Sequence, residues 1–171
     1  DSSKKHVLST LGALRLEVAE KLQIERTGYN LLWITEFPFF EWDEEQGQYV
    51  AMHHPFTSPL DECIPYLDSQ PEKVFAKAYD LVLNGIELAS GSIRITDPEL
   101  QDHMFKALGL SQEEAQEKFG FLTNAFRYGA PPHGGMGIGL DRLVMQMLQA
   151  STLRDVVLFP KVQNMREPMT P

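Results

Sequence analysis

Apolar residues recur at three- and four-residue spacing over residues 4–22. Val7, Leu8, Leu11, Leu14, Val18 and Leu22 fall together on a helical wheel, and Ser2 or Ser3 can serve as the N-cap. The pattern then changes. Residues 30–42 concentrate aromatic and branched side chains, including Leu31-Leu32-Trp33-Ile34 and Phe37-Pro38-Phe39-Phe40, which predicts a strand running into an irregular turn at Pro38. The run 43–48 is polar and acidic and reads as a solvated hairpin loop, with residues 49–52 returning as a strand. Residues 54–73 carry four prolines and little periodicity, so a long ordered loop with short helical turns is expected, and loops of that length are often functional.

Residues 77–83 and 86–88 are strand-like runs on either side of Asn84-Gly85, the strongest short hairpin cue. Residues 98–108 and 111–128 have helical periodicity, and the second helix opens on Ser111 and Glu114 as a capping box. Pro131-Pro132 stops the helices. Residues 134–139 form a glycine-dense strand, followed at once by a helical stripe of Leu140, Leu143, Val144, Met147 and Leu148. No internal repeat or interdomain linker interrupts this order. It predicts an α+β fold, an antiparallel sheet flanked by helices.

Composition narrows the function classes. The 171 residues suffice for one domain with a real core, and 43% hydrophobic content argues against global disorder. No apolar stretch approaches the roughly 20 residues that span a bilayer, so no membrane role is expected. The single cysteine, Cys63, suits the cytoplasm. Fifteen basic against twenty-four acidic residues give a formal charge of −9. Nucleic-acid affinity rests largely on phosphate neutralisation, so any such role must depend on a local patch or on other parts of a larger protein. The chain opens on Asp1 rather than Met, and is expected to be a portion excised from a longer protein.

The common catalytic signatures are absent. Gly134-Gly135-Met136-Gly137-Ile138-Gly139 does not complete a dinucleotide fingerprint, because Leu140 and Arg142 occupy the positions that would continue it. There is no P-loop, no H-E-x-x-H, no paired C-x-x-C and no nucleophile elbow. Geometry offers more. With Asn84-Gly85 as a two-residue turn, Val82 faces Glu87 and Asp80 faces Ala89, so Asp80, Val82, Glu87 and Ala89 share one sheet face. Asp80 and Glu87 are then diagonal neighbours, either a pair bridged by a cation such as magnesium or two solvent-facing carboxylates. Strict alternation puts Arg94 on the opposite face from Glu87. A bulge among the small residues 89–92 would return Arg94 to the carboxylate face, where its planar fork suits a carboxylate. Otherwise Arg94 is a surface residue paired with Asp97 or Glu99. His53-His54-Pro55-Phe56 has no metal partners in its pattern. It reads as a structural pair bonded to backbone, or as a site for an anionic ligand that titrates near neutrality. The alternating glycines of 134–139 either let a flat ring or phosphates lie on bare backbone or permit close helix packing. Arg142, in the first turn of the following helix, projects over the strand end.

These runs resemble a known family. Residues 134–143 are similar to motif 3 of class II aminoacyl-tRNA synthetases. The segments 79–95, 53–59, 129–134 and 153–161 resemble the bacterial-type aspartyl-tRNA synthetases, and the similarity covers nearly the whole chain. The resemblance implies ATP-dependent activation of L-aspartate to aspartyl-adenylate, then transfer to the terminal ribose of tRNA. It implies that Arg142 contacts the γ-phosphate of ATP, with Gly139, Leu140, Asp141 and Glu87 also at the nucleotide. Asp80 and Glu87 would hold Mg2+ on the phosphates, Arg94 would pair with the side-chain carboxylate of aspartate, and His53 would approach the same ligand. Arg142 and Glu87 are the expected catalytic pair. Catalysis of this kind is positioning and electrostatic stabilisation, which explains the missing triad.

Two departures stand out. Where the family has a glycine-rich Glu-x-Gly-Gly-Gly-Ser, this chain has Glu87-Leu88-Ala89-Ser90-Gly91-Ser92, so Ala89 and Ser90 are expected to add bulk beside the pocket. Motifs 1 and 2 and the anticodon-binding barrel are missing. Residues 1–24 resemble the trailing helix of an inserted domain, and residues 25–171 the C-terminal part of the catalytic domain. The parent is expected to be a homodimer, and this chain alone to be inactive. The alternative is a synthetase-like regulatory or binding paralogue. A lysyl or asparaginyl ligase is disfavoured by Arg94 and by the His53-His54-Pro55 run.

Overall fold

A computed structural model gives the structure of the protein and describes residues 4–25 and 27–160. The chain divides into two units, residues 1–30 and 31–171. The first holds helix α1 (Lys4–Lys21), close to the span the periodicity predicts. Its end is closed by Gln23 in the left-handed region (φ 49°) and by the Ile24 N–H donating to the Ala19 carbonyl at 3.0 Å. Leu8, Leu11, Leu14, Val18 and Leu22 are all exposed. The proposed Ser2 or Ser3 cap lies outside the described residues.

The second unit is built on a four-stranded antiparallel sheet. Its strands are β1 (Leu31–Pro38), β4 (Phe75–Leu83), β5 (Ile86–Ile93) and β6 (Gly134–Ile138), in the order β1-β4-β5-β6. Strands β2 (Phe40–Asp43) and β3 (Gln48–Ala51) form a separate hairpin. Asp43 Oδ1 accepts from the Glu45 and Gln46 N–H groups at the start of its loop. Asn84 and Gly85 both take positive φ (50° and 85°), as a two-residue primed turn requires, and they set the β4–β5 register at Leu83↔Ile86 and Val82↔Glu87. Residues 54–73 are the expected ordered loop, with 3-10 turns at Asp61–Tyr66 and Pro71–Lys73.

Helices α2 (Pro98–Ala107) and α3 (Gln112–Phe126) pack against each other, and Met104 of α2 joins Ala76 and Ala78 of β4 in one apolar cluster. Asp97 caps α2 by accepting from the Leu100 N–H at 2.8 Å, and Ser111 and Glu114 form the predicted capping box on α3. Two apolar clusters result. Phe39, Leu67, Val74, Ala76, Ile95 and Met104 make the larger one. Phe56 makes the other, standing edge-on to Phe105, Phe119 and Phe126. Helix α4 (Leu140–Leu148) follows β6 directly, with Gly139 as its N-cap. Edge strand β1 carries exposed Leu31, Leu32, Trp33 and Ile34, and edge strand β6 is exposed along its whole length.

Candidate active site

One irregularity organises the site. In the β4–β5 ladder Val82 pairs with Glu87 and Leu81 with Ala89, so Leu88 is an extra residue, a β-bulge. The expected bulge exists, but at Leu88 rather than between Ala89 and Ser92. Asp80 therefore faces Ser90, not Ala89. The parity shift places Ala78, Asp80, Val82, Glu87, Ser90 and Ser92 on one face, with Gly135 and Gly137 of β6 opposite Ser92 and Ser90. The expected bulk at Ala89 is likewise corrected. Ala89, 2% exposed, pairs with Leu81 and Ile138 on the other face, and only Ser90 stands beside the pocket.

The bulge also builds contacts across the sheet. The Leu88 carbonyl accepts from the Gly139 N–H at 2.8 Å, fixing the start of α4. The neighbouring Glu87 carbonyl accepts from Arg142 Nη1 at 2.7 Å, and the Glu87 carboxylate lies 3.2 Å from the same nitrogen. Arg142 thus sits in the first turn of α4 over the strand end, as its position predicts. Glu87, Ser90, Gly137, Gly139, Asp141 and Arg142 line a cavity of about 390 Å³. Leu140, 68% exposed, is not among its walls.

A second cavity, of about 280 Å³, is walled by His53, His54, Thr57, Asp80, Ser90 and Arg94, among others. Arg94 lies on the carboxylate face. Its backbone N–H donates to the His133 carbonyl, and its Nη1 donates to Thr57 Oγ1 at 3.4 Å. Among the described residues it makes no ion pair with Asp97 or Glu99, and the Asp97 side chain is occupied in capping α2. His53 stands edge-on to Phe37 and Phe39, and its Nε2 is buried without a hydrogen-bond partner among the described residues. Burial holds the His53 imidazole below its ordinary pKa, although its hydrogen bond to the Pro38 backbone carbonyl and the charge of Asp80 pull it upward. Partial burial, and then the Arg94 charge, lower His54 too. Both rings are therefore mainly neutral at pH 7, rather than titrating there.

A third space of about 600 Å³ adjoins these, walled by His54, Arg94, Phe126, His133, Gly135 and Gly137 among others. Ser90 lines all three spaces. Sequence reasoning did not single out Thr57, His133 or Phe37 for the site. The resemblance had covered Thr57 and His133 within matched runs, whereas Phe37 reaches the cavity past a register shift between β1 and β4, where Glu36 (φ 58°) stands opposite both Lys77 and Ala78. A Cβ at Gly135 or Gly137 would meet no heavy atom of the described residues within 4 Å, so their packing does not require glycine there. Gly134 is different, because a Cβ there would lie 2.9 Å from the Ser92 carbonyl oxygen.

Asp80 and Glu87 occupy one face as diagonal neighbours, in separate cavities. Among the described residues no three His, Cys, Asp or Glu side chains gather as a metal cluster. Magnesium does not need one, since it binds through one or two carboxylates and completes its shell with water and phosphate oxygens. The donor set fits a magnesium ion that arrives with a polyphosphate. Among the described residues, no helix is long and apolar enough to cross a membrane.

A family model described as tRNA synthetases class II (D, K and N) matches residues 9–163. The chain belongs to this family. It is 59% identical over 165 residues to the aspartate–tRNA ligase of Ruminiclostridium cellulolyticum, a match covering 96% of this chain and 28% of that protein. It is 55% identical to the aspartate–tRNA(Asp/Asn) ligase of Lachnoclostridium phytofermentans, covering 94% of this chain and 27% of that protein. Among solved structures, the aspartyl-tRNA synthetase of Entamoeba histolytica aligns with a TM-score of 0.60 at 26% identity, covering 98% of this chain and 28% of that one. The asparaginyl-tRNA synthetase of the same organism, in complex with asparaginyl-adenylate, aligns over 81% of this chain and 26% of its own, with a TM-score of 0.59 at 27% identity. The α+β architecture is that of the class II synthetases. The chain spans little more than a quarter of the length of the curated relatives it matches.

Proposed function

We propose that this chain forms the aspartate- and ATP-binding part of an aspartate–tRNA ligase. The observation that carries the reading is the Leu88 bulge. It turns Arg94 toward Asp80 and His53 in one cavity, and its two carbonyls hold Arg142 and Gly139 beside the next. In this reading the 280 Å³ cavity takes aspartate. The Arg94 fork pairs with the side-chain carboxylate, and a neutral amide in its place would leave the guanidinium unpaired. The adjoining 390 Å³ cavity takes the polyphosphate of ATP, with Arg142 on the γ-phosphate, Gly139 and Asp141 beside the nucleotide, and Gly137 as bare floor.

The aspartate α-carboxylate attacks the α-phosphate, pyrophosphate leaves, and the acyl group then passes to a terminal ribose hydroxyl of tRNA with release of AMP. Arg94 and neutral His53 hold the amino acid, and Arg142 stabilises phosphate charge as it develops. Asp80 and Glu87 would hold Mg2+, which when bound neutralises charge on the phosphates. tRNA, a homodimer and a cytoplasmic setting belong to the full-length protein in this reading. The test is ATP–pyrophosphate exchange. The full-length protein is expected to exchange with aspartate and not with asparagine, and the 171-residue chain alone to be inert because it spans so little of its relatives. Exchange driven equally by asparagine would overturn the assignment of the cavity to aspartate, and none with either would overturn the reading in favour of a non-catalytic paralogue.

A further inference from the structure

Gln101 is an anomaly in α2. Its side chain is 3% exposed and its neighbours Met104 and Phe105 are core residues, so an apolar side chain would suit the position. Its Nε2 donates to the Pro55 carbonyl at 2.9 Å. Its Oε1 is buried and has no donor among the described residues. Reversing the amide does not help, because the carbonyl would then oppose the Pro55 oxygen, acceptor against acceptor. A buried acceptor left bare costs about as much as a lost hydrogen bond, so glutamine persists here only if something donates to it.

Gln101 lines a small cavity of about 20 Å³ that is also walled by Asp97, Asp102, Thr123 and Arg127. A space above roughly 10–15 Å³ with several polar partners holds one water. At the other end of the amide, Pro55 stands between His54 and Phe56. The His54 carbonyl accepts from the Thr57 N–H at 2.8 Å and the Phe56 carbonyl from the Ile95 N–H at 2.9 Å. Thr57 in turn holds the Arg94 guanidinium. The Pro55 carbonyl is therefore the point where α2 grips the loop that carries one wall of the 280 Å³ cavity.

We propose that Gln101, with one water held on its Oε1, is a positioning residue: a polar strut from α2 to Pro55 that fixes where His53, His54 and Arg94 stand. The assignment of these residues to aspartate rests on the function proposed above. Gln101 itself touches no substrate. Its effect on the reaction passes through the loop, so it acts on aspartate and not on the nucleotide, whose cavity α2 does not line.

In the full-length protein, Gln101→Met keeps the length and apolar fit of the side chain and removes both hydrogen-bonding ends. It is expected to raise the KM for aspartate about five- to ten-fold, the factor of roughly one neutral hydrogen bond, with the KM for ATP changed less than about two-fold. Gln101→Leu likewise removes both hydrogen-bonding ends and fits an apolar site. It carries the same expectation and serves alone if Gln101→Met fails to fold. An unchanged aspartate KM, or equal rises in both constants, overturns the strut. A crystal structure with a water bonded to Gln101 Oε1 supports the water, and a dry cavity overturns that half. A further measurement is independent of the reaction. In the 171-residue chain the NMR signals of the His54 ring and the Thr57 amide are expected to move in Gln101→Met while those of His6 stay. These shifts, together with a full-length protein that does not activate aspartate, would defeat the functional reading and leave the strut standing. Their absence would defeat the strut.

Discussion

Gly137→Ala and Gly91→Ala separate two uses of glycine on neighbouring strands. Among the described residues a Cβ at Gly137 meets nothing within 4 Å, so the substitution restricts the unfolded chain without straining the folded one. That stabilises by about 0.4–1 kcal/mol. A Cβ at Gly91 would lie 2.7 Å from Tyr79 Cε2 and 2.9 Å from Met136 Cα, and closer still to the Gly135 carbonyl oxygen. Two of these are backbone atoms of a paired strand and cannot swing aside, so the cost reaches or exceeds the roughly 1–3 kcal/mol usual for overpacking. With a urea slope of about 2 kcal/mol/M, Gly137→Ala is expected to raise the unfolding midpoint by roughly 0.2–0.5 M, and Gly91→Ala to lower it by about 0.5 M or more. Function should run the other way. An added Gly137 methyl would stand on the floor of the cavity proposed for the nucleotide, where one misplaced methyl is worth roughly 1–3 kcal/mol, so the KM for ATP in the full-length protein should rise about ten-fold or more. A lowered midpoint for Gly137→Ala would mean that packing demands the glycine. An unchanged ATP KM would mean that β6 is not the nucleotide floor.

Arg142→Ala in the full-length protein is expected to add about 2.7–4 kcal/mol to the barrier of adenylate formation, the scale for losing one preorganised charge-stabilising donor. An ATP–pyrophosphate exchange rate within about three-fold of wild type would exclude that role. Arg94→Lys should raise the KM for aspartate far more than that for ATP, because an ammonium cannot reproduce the two-pronged pairing, and equal effects on both would contradict it. Burial lowers the His53 pKa in the fold, so below the ordinary value of about 6.5 the unfolded chain binds more protons than the native one. Stability is therefore expected to be full above about pH 6.5 and to fall as the pH drops through the folded pKa. Urea midpoints at pH 7.5 and 5.5 should show this loss, and His53→Gln should reduce it.

Much of this geometry is legible locally. Asn84-Gly85 demands positive φ at two positions, Ser111 and Glu114 satisfy each other's backbone donors, and alternating glycines before an amphipathic stripe announce β6 and α4. The place of the bulge is not a local property. Small residues at 89–92 can absorb an extra residue as readily as position 88 can. The choice falls on Leu88 in a structure where its side chain is 8% exposed and its carbonyl meets the Gly139 N–H, fifty-one positions along the chain. Gln101 was invisible for a similar reason. Its place in α2 fits the helical pattern, and only the Pro55 carbonyl, forty-six residues earlier, explains a buried amide there.

The ion pair between Glu87 and Arg142 looks at first like an obstacle to the roles proposed for both. Both side chains are about half exposed, at 49% and 40%, and pairs of that kind contribute at most about 1 kcal/mol. The other bond to Arg142, from Nη1 to the Glu87 carbonyl at 2.7 Å, is shorter and joins a charged donor to a fixed backbone acceptor. The metal role proposed for Glu87 asks its carboxylate to leave this ion pair and turn toward Asp80, and the carbonyl bond leaves Arg142 its anchor when it does. The bulge makes this possible by separating the two ends of one residue. The carbonyl of Glu87 serves α4, and its side chain stays on the carboxylate face of the sheet. One local distortion thus gives Arg142 a backbone anchor that does not depend on where the Glu87 carboxylate points.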